Sequence, residues 1–225
     1  ILKKLIPDLD LSDENFPHMS FKETNIGNIE CRIMRISFTG EHSYEINVQA
    51  SYGKDLWEKC MESGQEFNIT PYGTESMHLL RAEKGFIIVG QDTDGTMTPI
   101  DLQMDWIVSK KKYDFIGKRS LYRSDTMRED RKQLVGLLTD NPNEVLEEGA
   151  QIVQDEKKQP IEMLGHVTSS YFSPNLNHSV AMALIRGGKR KIGSRLFVST
   201  ENLNTIAVEV VEPNFIDPKN ERMML

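Results

Sequence analysis

A chain of 225 residues with 38% hydrophobic and 27% charged positions is long enough to bury the core of one large domain or two small ones. Its 27 Lys and Arg against 34 Asp and Glu leave a net charge of −7, which argues against a generally basic nucleic-acid surface. No apolar run approaches the roughly 18 residues that a membrane-spanning helix needs.

Taken in chain order, Leu2, Leu5 and Ile6 predict a short opening helix that stops at Pro7, followed by a helical turn and loop up to residue 25. Strict alternation from Ile29 to Phe38 and again from Tyr44 to Val48 predicts a β-hairpin with one apolar and one polar face. Ser51 is the expected N-cap of a helix ending near Gly64, with Leu56, Trp57, Cys60 and Met61 as its core stripe. Thr74 is the expected cap of a second helix, Glu75 to Lys84, closed by Gly85.

An apolar strand, Phe86 to Val89, is then expected, followed by the turn Gln91-Asp-Thr-Asp-Gly-Thr-Met-Thr-Pro99 and the apolar segment Trp106 to Val108. A short third helix is expected from Gly117 to Tyr122. The turn is dense in side-chain oxygens, which can hold the loop together, face a ligand, or do both. An almost wholly polar stretch from Arg123 to Lys132 places the domain boundary, giving 1–125 as an α+β domain and 126–225 as a small all-β domain. Six short strands are expected in the second domain: Gln133–Thr139, Gln151–Gln154, Gly165–Ser169, Val180–Ile185, Arg195–Ser199 and Thr205–Val211. The tail from Pro213 is expected to run along the surface.

The motifs of several common chemistries are missing. No nucleophile elbow, Walker A loop, HExxH or GxGxxG occurs, and the five histidines show no metal-ligand spacing. Asp92-Thr-Asp94-Gly95 has a glycine, Gly90, where a calcium loop needs its first carboxylate, so no metal site is expected. Cys31 and Cys60 lack CxxC spacing and suit free thiols in a reducing cytoplasm. Lys110–Lys112 and Lys189–Lys191 read either as solvated loop charge or as a landing place for an acidic ligand tail. The absence of an initiator Met and of a signal sequence suits a piece of something longer.

Two charged residues are singled out by pattern. Glu45, on the polar side of a strand whose other face is apolar, either faces solvent or points into a cavity, where its carboxylate could accept two parallel hydrogen bonds from an amino-substituted heterocycle. Arg81, in a mostly apolar helix end, should be paired with Glu83, Asp92 or Asp94, because buried arginines are rarely left alone.

Five blocks carry a resemblance: CRIMRISFTGEHSYEI at 31–46, LRAEKGFIIVGQDTDGTMTP at 80–99, KKKYDFIGKRSL at 110–121, RKQLVGLL at 131–138 and GHVTSSYFSPNLNHSVAMALI at 165–185. In order and spacing they resemble the aminomethyltransferase family, the folate-binding T-protein of glycine cleavage and its relatives. Their wording looks most like the branch found in the α subunits of heterotetrameric sarcosine oxidases. The resemblance implies part of a three-domain cloverleaf around tetrahydrofolate, its last domain a jelly-roll-like or barrel-like β structure.

It also implies roles for particular residues. Glu45 matches the second glutamate of the family's YTGExGxEI loop, which holds the pterin, while Phe38 stands in place of the loop tyrosine and keeps only its aromatic wall. The family's RDxLRLEAG helix reads Met77-His-Leu-Leu-Arg-Ala-Glu-Lys-Gly85, with Met77 replacing an arginine and Arg81 kept. The implied folate-binding set is therefore Glu45, Phe38, Met77 and Arg81, with no catalytic residue in this segment, since the family's aspartate lies upstream. Flavin (FAD or FMN) and NAD are implied elsewhere in a complex with β, γ and δ subunits, and no nucleic-acid or membrane partner is implied. The alternatives are a glycine cleavage aminomethyltransferase and a scaffold fragment that packs on flavin subunits.

Overall fold

A computed structural model describes residues 1–157, 159–202 and 204–224. The chain divides into two units: Ile1–Leu80 together with the residues from Lys219 onward, and Arg81–Pro218.

In the first unit, β1 (Phe21–Ile26), β2 (Ile29–Met34) and β3 (Glu45–Val48) form an antiparallel sheet in that order. Residues 21–25, expected as loop, belong to the strand β1. Gly27 supplies the positive φ that a two-residue hairpin needs at its first position, and Ile26 pairs with Ile29 across it. The predicted pairing of the next two segments is present, with Cys31 opposite Val48 and Met34 opposite Glu45. Regular β2 ends at Met34 rather than Phe38, because Arg35 turns its N–H to Ser20 O and its carbonyl to Met19 N, in the loop before β1.

One face of this sheet carries Ile26, Cys31, Ile33, Ile46 and Val48. It packs with Leu2, Leu5 and Ile6 of the opening helix α1 (Leu2–Leu5) and its C-cap, with Phe16, and with Leu56 of α2 (Gly53–Gly64). The short first helix thus finds its partners within the unit. Ser51 makes no cap: a 3-10 turn, Ala50–Tyr52, leads into α2 instead. Trp57 is 57% exposed, so of the predicted stripe on α2 only Leu56, Cys60 and Met61 are half-buried. The helix α3 (Thr74–Glu83) matches its predicted span.

In the second unit, β4 (Lys132–Thr139), β5 (Gln151–Val153), β6 (Met163–Ser173), β7 (His178–Arg186), β8 (Arg195–Ser199) and β9 (Thr205–Val211) close into a barrel in the order β4-β7-β6-β5-β8-β9. All six predicted strands are present. β6 and β7 are longer than expected because they pair with each other from Gly165–Ile185 to Ser173–His178. Val135, Leu137, Ile152, Val167, Ile185, Leu196, Val198, Val208 and Val210 fill the interior. The opposite face of β4 and β7 is also buried: Leu134, Met182 and Leu184 pack with Ala82, Leu102 and Phe215.

Several segments around that second layer depart from expectation. Phe86 to Val89 is an irregular stretch, not a strand, with a single bridge from Val89 to Thr93. Residues 105–107 form an exposed 3-10 turn, while a short α4 (Lys118–Leu121) follows Gly117 as predicted. The tail does not simply lie on the surface. Phe215 and Ile216 donate their N–H groups to Glu83 O (both 3.0 Å), and buried Lys84 donates to Asp217 Oδ2 at 2.9 Å and to the Asp217 carbonyl.

Gly85 ends α3 with φ +74°, and a Cβ there would lie 2.5 Å from Pro213 O. Both the left-handed backbone and the close approach of the tail require glycine. Gly85→Ala is expected to lower stability by about 2 kcal/mol, read as a shifted urea midpoint with an unchanged slope.

Candidate functional site

The outer face of the first unit's sheet is polar and open. Alternation puts Phe21, Glu23 and Asn25 of β1, Arg32 and Met34 of β2, and Glu45 and Asn47 of β3 on this side. Phe21, Met34 and Glu45 form one cross-strand row, and Glu23, Arg32 and Asn47 the next. Arg32 Nη2 donates to Glu23 Oε1 at 2.7 Å, and its guanidinium lies 5.2 Å over the Phe21 ring. A cavity of about 700 Å³ is lined by Glu23, Asn25, Arg32, Asn47 and Gln49 among others. Glu45 is not in its wall but stands two residues from Asn47 on the same face, with its carboxylate exposed.

Phe38 lies in the connection between β2 and β3 and is 41% exposed. In the same connection His42 Nε2 is 2.9 Å from the Tyr44 hydroxyl. Met77 is half-buried within α3.

Arg81 belongs to the second unit, where it is 1% exposed. Of the three carboxylates named as partners from sequence, Asp92 is the one it meets. Nη1 donates to Asp92 Oδ2 and, at 3.1 Å, to Phe86 O, and Nη2 donates to Ser169 Oγ at 2.6 Å. Asp92 has no solvent exposure. It accepts three further bonds, from Ile88 N–H (2.9 Å), Thr168 Oγ1 (2.6 Å) and Ser169 Oγ (2.7 Å). Arg81 Nε is buried and has no partner among the described residues.

Adjacent strand residues ordinarily face opposite ways, so two consecutive hydroxyls on one carboxylate oxygen need an explanation. A β-bulge supplies it: the β6–β7 register shifts between Val167 and Ser169, leaving Thr168 as the extra residue. Sequence reasoning did not assign Thr168 or Ser169 to Arg81. The available signal was the run of three consecutive polar residues, Thr168-Ser169-Ser170, in the middle of a strand.

The rest of the 91–99 turn also spends its oxygens on itself. Asp94 Oδ1 accepts from Thr96 Oγ1 (2.6 Å) and Thr96 N–H (2.7 Å), which holds its carboxyl below the ordinary carboxylate range. Asp101 Oδ2 accepts from Thr98 N–H and Thr98 Oγ1, both at 2.9 Å. Arg131 Nε and Nη2 close on the Asp101 carboxylate at 2.9 to 3.1 Å, and that bonding raises the guanidinium's affinity for its proton. Burial, with help from Lys132, makes His166 harder to protonate, while Asp94 opposes the shift. Among the described residues, no group of three His, Cys, Asp or Glu is placed to hold a metal ion, and no helix is long and apolar enough to cross a membrane.

Comparison with known proteins places these features in a family. Residues 1–112 match the family model of the GCVT N-terminal domain, and residues 132–217 that of the glycine cleavage T-protein C-terminal barrel domain. The chain is 49% identical over 226 residues to a sarcosine oxidase subunit alpha of Corynebacterium sp. (strain P-1), covering 99% of this chain and 23% of that protein. It is 33% identical over 215 residues to an aminomethyltransferase of Caldanaerobacter subterraneus subsp. tengcongensis, covering 96% and 55%. The crystal structure of the glycine cleavage system aminomethyltransferase T from Bartonella henselae matches with a TM-score of 0.72 and 26% identity, over 83% of this chain and 50% of that one. The chain therefore spans about a quarter of the length of the sarcosine oxidase subunits it matches.

Asp92→Asn removes the only carboxylate that meets the buried Arg81 guanidinium among the described residues. The expected loss of stability is about 3 to 5 kcal/mol, measured by urea denaturation. His166 binds its proton less readily when folded than in the unfolded chain, so its contribution to stability is full above pH 6.5 and declines as pH falls below that value. His166→Gln should flatten that part of the profile of urea midpoint against pH.

Proposed function

The chain belongs to the glycine cleavage T-protein family, its two parts matching that family's N-terminal and barrel domains, and from that premise we propose that it is the folate-binding portion of a sarcosine oxidase α subunit. The observation that carries the reading is the 49% identity over 99% of the chain to such a subunit, against 33% to an aminomethyltransferase. Met77, standing where the family helix has an arginine, favours the same branch.

In this reading tetrahydrofolate, when bound, supplies the amines that capture the one-carbon unit released as sarcosine is oxidised to glycine. The chain's own residues bind and orient it. The exposed Glu45 carboxylate is acceptor-only and can take two parallel N–H donors from the amino-substituted edge of the pterin. It stands on an open sheet face beside a cavity with amide and guanidinium groups in its wall, which suits a polar heterocycle. Phe38 and Met77 serve as apolar walls. Arg81 has its charge already committed to Asp92 and serves to hold the 86–99 segment within the second unit. The contribution to catalysis is positioning, without a covalent step on this chain.

Flavin and NAD are assigned to other parts of a cytoplasmic complex with β, γ and δ subunits, since no glycine-rich dinucleotide motif occurs here. For function we divide the chain at 1–125 and 126–225. That neither family domain matches the stretch from 113 to 131 supports a division there.

Glu45→Gln in the complete enzyme is expected to weaken folate binding by about 2 kcal/mol, on the order of thirtyfold in Kd, while sarcosine-dependent flavin reduction is spared. Calorimetric titration and stopped-flow absorbance check the two halves of that statement. Unchanged folate affinity would remove Glu45 from the site. A complete enzyme that takes its one-carbon unit from an aminomethyl-lipoyl carrier without a flavin would replace this reading by the aminomethyltransferase one.

A further inference from the structure

The second unit holds a concentration of uncovered aromatic surface. Trp106 is 74% exposed, Tyr113 95%, Ile116 106% and Tyr122 63%. Scattered single apolar residues are normal on a protein surface, but several large ones in one short stretch mark an interaction site. The stretch is also basic: Lys110, Lys111, Lys112, Lys118 and Arg119 outnumber Asp105 and Asp114, in a chain whose net charge is −7.

Its course is nevertheless defined. Lys118 Nζ donates to Tyr113 O and lies 5.8 Å over the Tyr113 ring. Lys112 N–H donates to Ser109 Oγ at 3.2 Å, and Phe115 N–H to Asp114 Oδ1 at 2.9 Å. Local bonds therefore hold the bends while the large side chains stay outward.

We propose that residues 106–122 form an internal docking surface, covered in the full-length protein by a further stretch of the same polypeptide that presents apolar side chains to Trp106, Tyr113 and Ile116 and carboxylates to the lysines. Two observations select that occupant. Half of the matched Bartonella henselae chain has no counterpart here, although 83% of this chain does, and the Caldanaerobacter protein likewise extends well beyond the match. The relatives thus carry, within one polypeptide, enough additional chain to cover such a face. The excess of lysine and arginine calls for an acidic cover, which the aromatic residues alone would not specify. The inference rests on the reading of this chain as part of a longer subunit, and does not depend on folate.

The test is made on the assembled enzyme. Hydroxyl-radical labelling with mass spectrometry compares Trp106 and Tyr113 in the native enzyme and in urea. Zero-length carbodiimide cross-linking then identifies which carboxylates lie against Lys110, Lys111, Lys112 and Lys118. The expected result is labelling several-fold slower in the native enzyme, with cross-links to Asp or Glu of the same polypeptide outside these 225 residues. Native labelling as fast as in urea overturns the proposal, and so does protection accompanied by cross-links only to another subunit. Folate affinity is not read in this experiment, so failure of the docking surface and failure of the folate reading are distinguishable.

Discussion

The buried ion pair between Arg81 and Asp92 is the constraint on which the second unit is organised. Taking a guanidinium and a carboxylate out of water costs several kcal/mol per ion, and their attraction offsets this only when the remaining donors and acceptors are also met. Asp92 meets that condition with Ile88 N–H and the hydroxyls of Thr168 and Ser169. The helix end, the turn that follows it and the barrel strand β6 must therefore arrive together. A bulge in β6 is part of the solution, since only an extra residue lets neighbouring hydroxyls reach the same oxygen.

The same logic runs along the rest of the α3 terminus. Glu83 accepts from Ser173 Oγ at 2.5 Å and Asn175 Nδ2 at 2.8 Å, and Lys84 is buried against Asp217. Three charged residues in four positions are thus tied to the barrel and to the tail behind it. This explains why residues 81–112 match the family's N-terminal domain by sequence yet pack with the barrel unit. Charged anchors and the Ala82, Leu102 and Phe215 layer cover a face of β4 and β7 that an isolated barrel would expose.

The first unit works by a simpler division. Its sheet buries one face against α1, α2 and Phe16 and leaves the other polar. Glu45 is on the polar face because its neighbours Tyr44 and Ile46 are needed in the core, so alternation alone determines its side. What surrounds it there depends on β1, which contributes Phe21, Glu23 and Asn25 and carries no strict apolar alternation of its own. The 91–99 turn, by contrast, bonds Asp92 to the barrel and Asp94 to its own Thr96, which makes that segment a support.

Much of this architecture was legible in the residues. The six barrel strands, α3 and its glycine stop follow from apolar alternation, turn residues and a left-handed position that favours glycine, all of which act over a few neighbouring residues. The need for Arg81 to have a carboxylate partner was equally readable, because desolvation is a property of the residue itself. Which carboxylate answers it was not, since Asp92 is chosen over Glu83 and Asp94 by hydroxyls 76 and 77 positions further along the chain. Phe86 to Val89 reads as a strand by composition and is none, because its Phe86 carbonyl and Ile88 N–H are taken by Arg81 and Asp92. Local pattern settles which face and which element a residue occupies; long-range partners settle which polar groups are left to meet anything else.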